Sequence, residues 1–210
     1  MTDYIESLKW RYATKKYDAA KKVSAGDLQT IMDALQLSVS SMGLQPYKII
    51  VVENAEIREK LKSAAYNQTP ITDASHLFVF ANEVNIGKKH VEDYMENISD
   101  VRNIERKELD GFSDMIYGAI NSRSAEENET WASKQAYIAL STLINTAALL
   151  KIDATPMEGF NPEAFNEILG LKEKGLNAAV IATIGYRHEE DAMQHYKKVR
   201  KPKEELFITV

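Results

Sequence analysis

The stretch Thr155-Pro156-Met157-Glu158-Gly159-Phe160 constrains this chain most, because it joins the longest uncharged run in the sequence to a strongly capped helix through a proline and a glycine. Gln135 to Leu150 carries no charge, and a helix of that kind must be covered on most sides. On the far side, Asn161-Pro162-Glu163-Ala164 is a helix start with proline in the first helical position, and that helix ends at Gly170. Read from its residues alone, the stretch is a loop between two helices. Its glycine would let the backbone approach a flat ligand closely.

The rest of the chain is read outward from that joint. Residues 3–11 form a short helix with Ile5, Leu8 and Trp10 on one side, followed by a polar segment, Arg11 to Tyr17, that has no period. Ser24 opens a second helix bearing Leu28, Ile31, Leu35 and Leu37, which ends in Ser38-Val39-Ser40-Ser41-Met42-Gly43. After Gln45-Pro46 the β-branched run Tyr47 to Val52 is a strand; Asn54 caps a helix to about Ala65, and Asn67-Gln68-Thr69-Pro70 breaks it. A second strand runs from Leu77 to Ala81. Gly87 to Ile120 is charged and weakly patterned, as in helices that protrude from a core, with Phe112, Met115 and Ile116 as the main apolar group. Ser124-Ala125-Glu126-Glu127 is a full capping box that starts the long helix to Leu150. Ala178 to Gly185 is nearly all apolar and belongs in the middle of a sheet. The end, Leu206 to Val210, is a strand-like peptide with no mate nearby in sequence. With no repeat or linker, residues 1–210 read as one α+β domain.

Composition narrows the chemistry. The absence of cysteine excludes disulfides, thiolate catalysis and cysteine-based metal sites, and no metal site is expected. Neither an apolar leader at the N-terminus nor a run long enough to span a bilayer is visible, so a cytoplasmic protein without a membrane partner is expected. The net charge of −5 is unevenly spread: Arg11, Lys15, Lys16, Lys21 and Lys22 cluster near one end, and Lys197, Lys198, Arg200, Lys201 and Lys203 near the other, over an acidic body. Basic ends on an acidic body fit a small anion held at one place better than a nucleic-acid track, which needs a broad positive face. Taken singly, each run also fits solvated surface.

With these residues in view, the chain resembles the flavin-dependent nitroreductase family, in the branch of oxygen-insensitive NAD(P)H nitroreductases and dihydropteridine reductases. The resemblance rests on the order of Arg11 to Lys15, Ser40-Ser41 with Gln45-Pro46, Asp73-Ala74-Ser75-His76, Pro156 to Phe160, Gly170 to Gly175, and Lys198 to Pro202. It implies an α+β sandwich around a mostly antiparallel sheet, an intertwined homodimer with one FMN at each end of its interface, and a C-terminal strand, Phe207 to Val210, that joins the partner's sheet. Arg11, Lys198 and Arg200 would take the FMN phosphate, with Tyr12 and Ala13 beside them. Lys15 would stand by the pyrimidine edge, where a cation favours the reduced ring, and Asn67 or Gln68 would hydrogen-bond that edge. The backbone N–H groups of Glu158 and Gly159 would face flavin N5, with Pro156 and Met157 next to them. Ser40 and Ser41 are implied contacts to the ribityl chain or ring, although a serine pair ending a helix is common without a ligand. Met42 and Phe112 would meet the substrate.

Three positions depart from the pattern: Ala13 where relatives often carry serine, Val39 in place of a proline, and Pro70 where close relatives offer a second lysine. The implied activity is a ping-pong, two-electron reduction of nitroaromatics, quinones or similar small acceptors with NADH or NADPH as donor, and it needs no catalytic side chain. The alternative is a flavin-binding or interaction protein of the same fold without turnover.

Overall fold

The computed structural model describes residues 2–210. Its centre is a four-stranded antiparallel sheet in the order β1-β2-β4-β3, formed by β1 (Tyr47–Val52), β2 (His76–Glu83), β3 (Asp153–Met157) and β4 (Leu176–Gly185). The two middle strands are buried on both faces, as the apolar runs in their sequences require. Alternation along β2 feeds two cores: Phe78 and Phe80 point into one, Leu77, Val79 and Ala81 into the other. In β4 the pairing skips Ala179, so that Ala178 and Val180, two residues apart, serve opposite cores. An inserted residue reverses the side-chain parity in this way.

Helices α2 (Ala25–Gln36) and α7 (Ala125–Leu149) cover the first face, α3 (Ala55–Ala64) and α8 (Pro162–Leu169) the second. The helix starts follow local chemistry. Ser24, Asn54, Ser124 and Asn161 each accept a hydrogen bond from a backbone N–H three residues on, and Glu127 returns the bond to Ser124 N–H at 2.7 Å. The charged region folds as α5 (Lys88–Arg102) and α6 (Asp110–Asn121), which build a third apolar cluster with the start of α7. Helix α1 (Thr2–Trp10) packs along α7, and the four-residue α4 (Pro70–Asp73) leads into β2.

One expectation is corrected. Thr155-Pro156-Met157 is strand, so the loop begins only at Glu158; Pro156 is tolerated because β3 is an edge strand. The C-terminus forms a short helix, α9 (Lys203–Leu206), and residues 207–210 join no strand within the chain, with Phe207, Ile208 and Val210 exposed. An extended peptide holds its shape only with a neighbour to bond to, and the chain supplies none there. In the single chain Tyr137, Ile138 and Leu149 of α7 remain exposed.

Candidate functional site

The polar segment 11–18 has no helix or strand of its own and is held by an isolated backbone bridge between Tyr17 and Arg187 and by side chains from elsewhere in the chain. Thr155 on β3 donates its hydroxyl to the carbonyl of Thr14 at 2.8 Å, and the Tyr17 hydroxyl lies 3.0 Å from the same Thr155 oxygen. Asp153, 2% exposed, accepts from the Thr14 hydroxyl and makes a forked pair with Arg187, whose Nη2 approaches to 2.6 Å. The guanidinium of Arg187 lies over the rings of Trp10 and Tyr12, 4.3 and 4.5 Å from their centroids. Asp191 accepts on one oxygen from the N–H groups of Lys15 and Lys16 and from the Tyr12 hydroxyl. Burial alone would raise the Asp191 carboxyl, but these bonds and one from Met193 N–H outweigh it and hold it below the ordinary carboxylate range.

This scaffold gathers Arg11, Lys198 and Arg200, which come from opposite ends of the chain. The ammonium of Lys198 donates to the carbonyls of Leu8 and Arg11. Arg11 is half-buried, and its Nε has no hydrogen-bond partner among the described residues. Burial first, then the charge of Arg200, lowers the pKa of Arg11; burial, then Arg11 and Arg200, does the same to Lys198. Nearby acids are committed elsewhere: Asp153 to Arg187, Glu190 to Lys16, and Asp191 to backbone. A crowd of like charges with a buried unpaired donor fits a dianionic group such as a phosphate ester. Ala13 leaves no hydroxyl there, and the side chain of Lys15 is exposed with no ion pair among the described residues.

Past β3, Glu158 and Gly159 are exposed, and neither of their N–H groups donates to a protein acceptor among the described residues. The side chain of Gln68 bonds the carbonyls of Gly159 at 2.7 Å and Ala65 at 3.1 Å, which draws the 65–68 turn against this loop. Gln68 thus spends its amide N–H groups on the protein, whereas Asn67 is exposed. Tyr66 and Asn67 both have φ near +55°, a left-handed conformation unusual for a bulky side chain. The Glu158 carboxylate accepts from the Tyr137 hydroxyl at 2.6 Å. Pro156 and Met157 form the last pairs of β3 with β4.

The remaining expected residues lie on other elements. Ser40 accepts from Gln45 N–H at 2.9 Å, and Ser41 N–H donates to Gln135 on α7 at 2.8 Å. Met42, at φ 57°, and Phe112 each pack against the α5–α6 cluster. Gln135 and Tyr137 stand about 200° apart around α7. By element the expected residues fall into two groups: Arg11, Lys15, 66–68, 156–159, Lys198 and Arg200 in one, within which the structure joins Arg11 with Lys198 and Arg200 and joins Gln68 with Gly159, and Ser40, Ser41, Met42 and Phe112 in the other. Sequence reading missed Asp191 and Tyr137, which bond Lys15 N–H and Glu158, and Asp153 and Arg187, which hold the neighbouring Thr14 and Tyr12, all through tertiary contacts. A cleft of about 470 Å³ lies next to the second group, between α2, β1 and α5, lined by Gly43, Gln45, Tyr47, Ile49, Phe78 and Tyr94 among others.

Fold and site together define a helix–sheet–helix sandwich with three cations clustered against segment 11–18 and free backbone donors on the loop after β3. Residues 8–186 match the model of the nitroreductase family, and the chain belongs to that family. It is 34% identical over 210 residues to the "Major NAD(P)H-flavin oxidoreductase" of Aliivibrio fischeri, covering 97% of this chain and 96% of that one. Among solved structures it is similar to the nitroreductase-type protein ydfN of Bacillus subtilis, with a TM-score of 0.89 and 20% identity over the whole of both chains. It is also similar to a nitroreductase-type protein of Exiguobacterium sibiricum solved in complex with FMN, with a TM-score of 0.85 and 19% identity over all of this chain and 98% of that one.

The Tyr137–Glu158 contact is open to titration. Burial first, then the hydrogen bond and charge of Glu158, push the Tyr137 phenol up to about 12 from its ordinary 10. In Glu158→Gln the charge is gone and the burial remains, so the phenol should titrate below about 12 and still above 10. An ultraviolet phenolate titration, with Tyr137→Phe to identify the signal, reads this; an unchanged midpoint would remove Glu158 as a cause.

Proposed function

We propose that the protein is an FMN-dependent NAD(P)H oxidoreductase that reduces small acceptors such as nitroaromatics or quinones by two electrons in ping-pong order. The observation that carries this is the grouping of Arg11, Lys198 and Arg200 with no ion pair to a carboxylate among the described residues, in a chain whose loop after β3 also keeps unspent N–H groups. In this proposal bound FMN supplies the redox chemistry, accepting hydride from the nicotinamide donor and passing it to the acceptor. Arg11, Lys198 and Arg200 hold the phosphate. Lys15 offers the cation for the pyrimidine edge, and Asn67, whose side chain is free, is favoured over Gln68 for the amide contact. The N–H groups of Glu158 and Gly159 serve N5, with Pro156 and Met157 flanking them.

The second group, Ser40, Ser41, Met42 and Phe112, is supplied by the partner in a homodimer. Two features support the dimer: the exposed apolar side of α7, and the tail with Phe207 and Ile208 in solvent. The free edge of β1 and the cleft beside it are suited to receive residues 207–210 of the partner as an added strand. The whole chain, 1–210, acts as one FMN-binding domain in the cytoplasm. No helix is long and apolar enough to cross a membrane among the described residues, and no nucleic-acid partner is part of the proposal.

Anaerobic addition of NADH or NADPH to the FMN-loaded protein should bleach the flavin within seconds, and a nitroaromatic or quinone should restore the colour. Flavin that stays oxidised with both donors would contradict turnover and leave a flavin-binding protein. Sedimentation equilibrium at micromolar concentration should give a dimer, and a monomer would contradict the shared site.

A further inference from the structure

We propose that Asp191 is a positioning residue for the phosphate end of the site: its carboxylate latches the segment carrying Lys198 and Arg200 to the segment carrying Arg11 and Lys15. This inference rests on the FMN reading above. Asp191 is 3% exposed, while every residue from His195 to Val210 is exposed. It is thus the last buried residue of the chain before the tail begins. One of its oxygens collects Lys15 N–H at 2.8 Å, Tyr12 O–H at 3.1 Å and Lys16 N–H at 3.2 Å; the other accepts Met193 N–H at 3.1 Å and caps the 3-10 turn Ala192–His195. One side chain therefore joins positions more than 170 residues apart in sequence.

Such a latch is needed because the cations it serves repel one another. The charges of Arg11 and Arg200 both disfavour the ammonium of Lys198, and Arg200 disfavours that of Arg11. Left to itself, an exposed tail bearing Lys198 and Arg200 would swing away from Arg11. Against this act the cap at Asp191 and the bonds from Lys198 to the carbonyls of Leu8 and Arg11. Held in advance, the three cations meet the phosphate without a further ordering cost, and affinity follows from that preorganisation. Lys15 is held by the same carboxylate, but it and the 158–159 loop serve flavin with or without its phosphate, so their share cancels when FMN is compared with riboflavin.

The test is a fluorescence titration of the full chain with FMN and with riboflavin, read as the ratio of their affinities. Wild type should prefer FMN, and Asp191→Asn, which turns an N–H toward the converging donors, should reduce that preference by about tenfold, as expected for the loss of a charge-assisted hydrogen bond worth about 1.4 kcal/mol. A purely structural role would lower the melting temperature and leave the ratio alone, so an unchanged ratio overturns the proposal. A wild type with no preference for FMN instead overturns the phosphate reading on which the proposal stands. If Asp191→Asn fails to fold by circular dichroism, Tyr12→Phe removes one of the three donors, and its ratio should fall by a smaller factor; an unchanged ratio in that variant also overturns the proposal.

Discussion

Two buried carboxylates at the end of the sheet hold the part of the molecule that has no secondary structure to hold it. Asp153 pairs with Arg187 and takes a bond from Thr14; Asp191 gathers the backbone of Lys15 and Lys16. Breaking a buried pair by removing one partner costs about 3–5 kcal/mol, a large share of the roughly 5–15 kcal/mol that holds a typical domain together. Segment 11–18 is therefore fixed more by hydrogen bonds and charge than by apolar burial, although Tyr17 is buried at its centre. Its position decides where Arg11 and Lys15 stand, and through Lys198 it decides where the tail leaves the body.

The consequence is electrostatic. Three cations are brought together while the acids around them are engaged in holding the scaffold, so positive charge accumulates with a donor of Arg11 left over. In most folds such crowding would be relieved by a carboxylate, since a solvated ion pair costs little to add. Here no carboxylate pairs directly with the three cations among the described residues, and the proposed phosphate is the group that would offset their repulsion. The loop after β3 has the same character, with donors presented and unspent, on a strand end tied to α7 by Tyr137 and to the 65–68 turn by Gln68. A site of this kind gives binding and orientation, and leaves the electron chemistry to what it binds.

Most of the fold was legible because its signals are local. Apolar runs marked β1, β2 and β4, and the side chains of Ser24, Asn54, Ser124 and Asn161 marked helix starts that the structure places within a residue or so. Strand β3 was read as loop because Asp153-Ala-Thr-Pro-Met is short and contains proline, and its pairing partner lies more than twenty residues away. The tail was read as strand from composition, but within the chain it has nothing to pair with. Arg11, Lys198 and Arg200 could be named through family resemblance and their charge at opposite ends; that they meet is a fact of tertiary structure. Asp153 and Asp191 had no such signal. A lone acid in sequence is ordinarily solvated surface, and only burial with four donors around it distinguishes Asp191.

Whether the crowded cations seat a phosphate is read from the flavin content of protein mixed with FMN and then desalted. Wild type should retain close to one FMN per chain, and the double variant Arg11→Ala, Arg200→Ala should emerge nearly colourless while keeping its circular dichroism. Equal retention by the two proteins would contradict the account, because the anion would then be held by something other than this cluster.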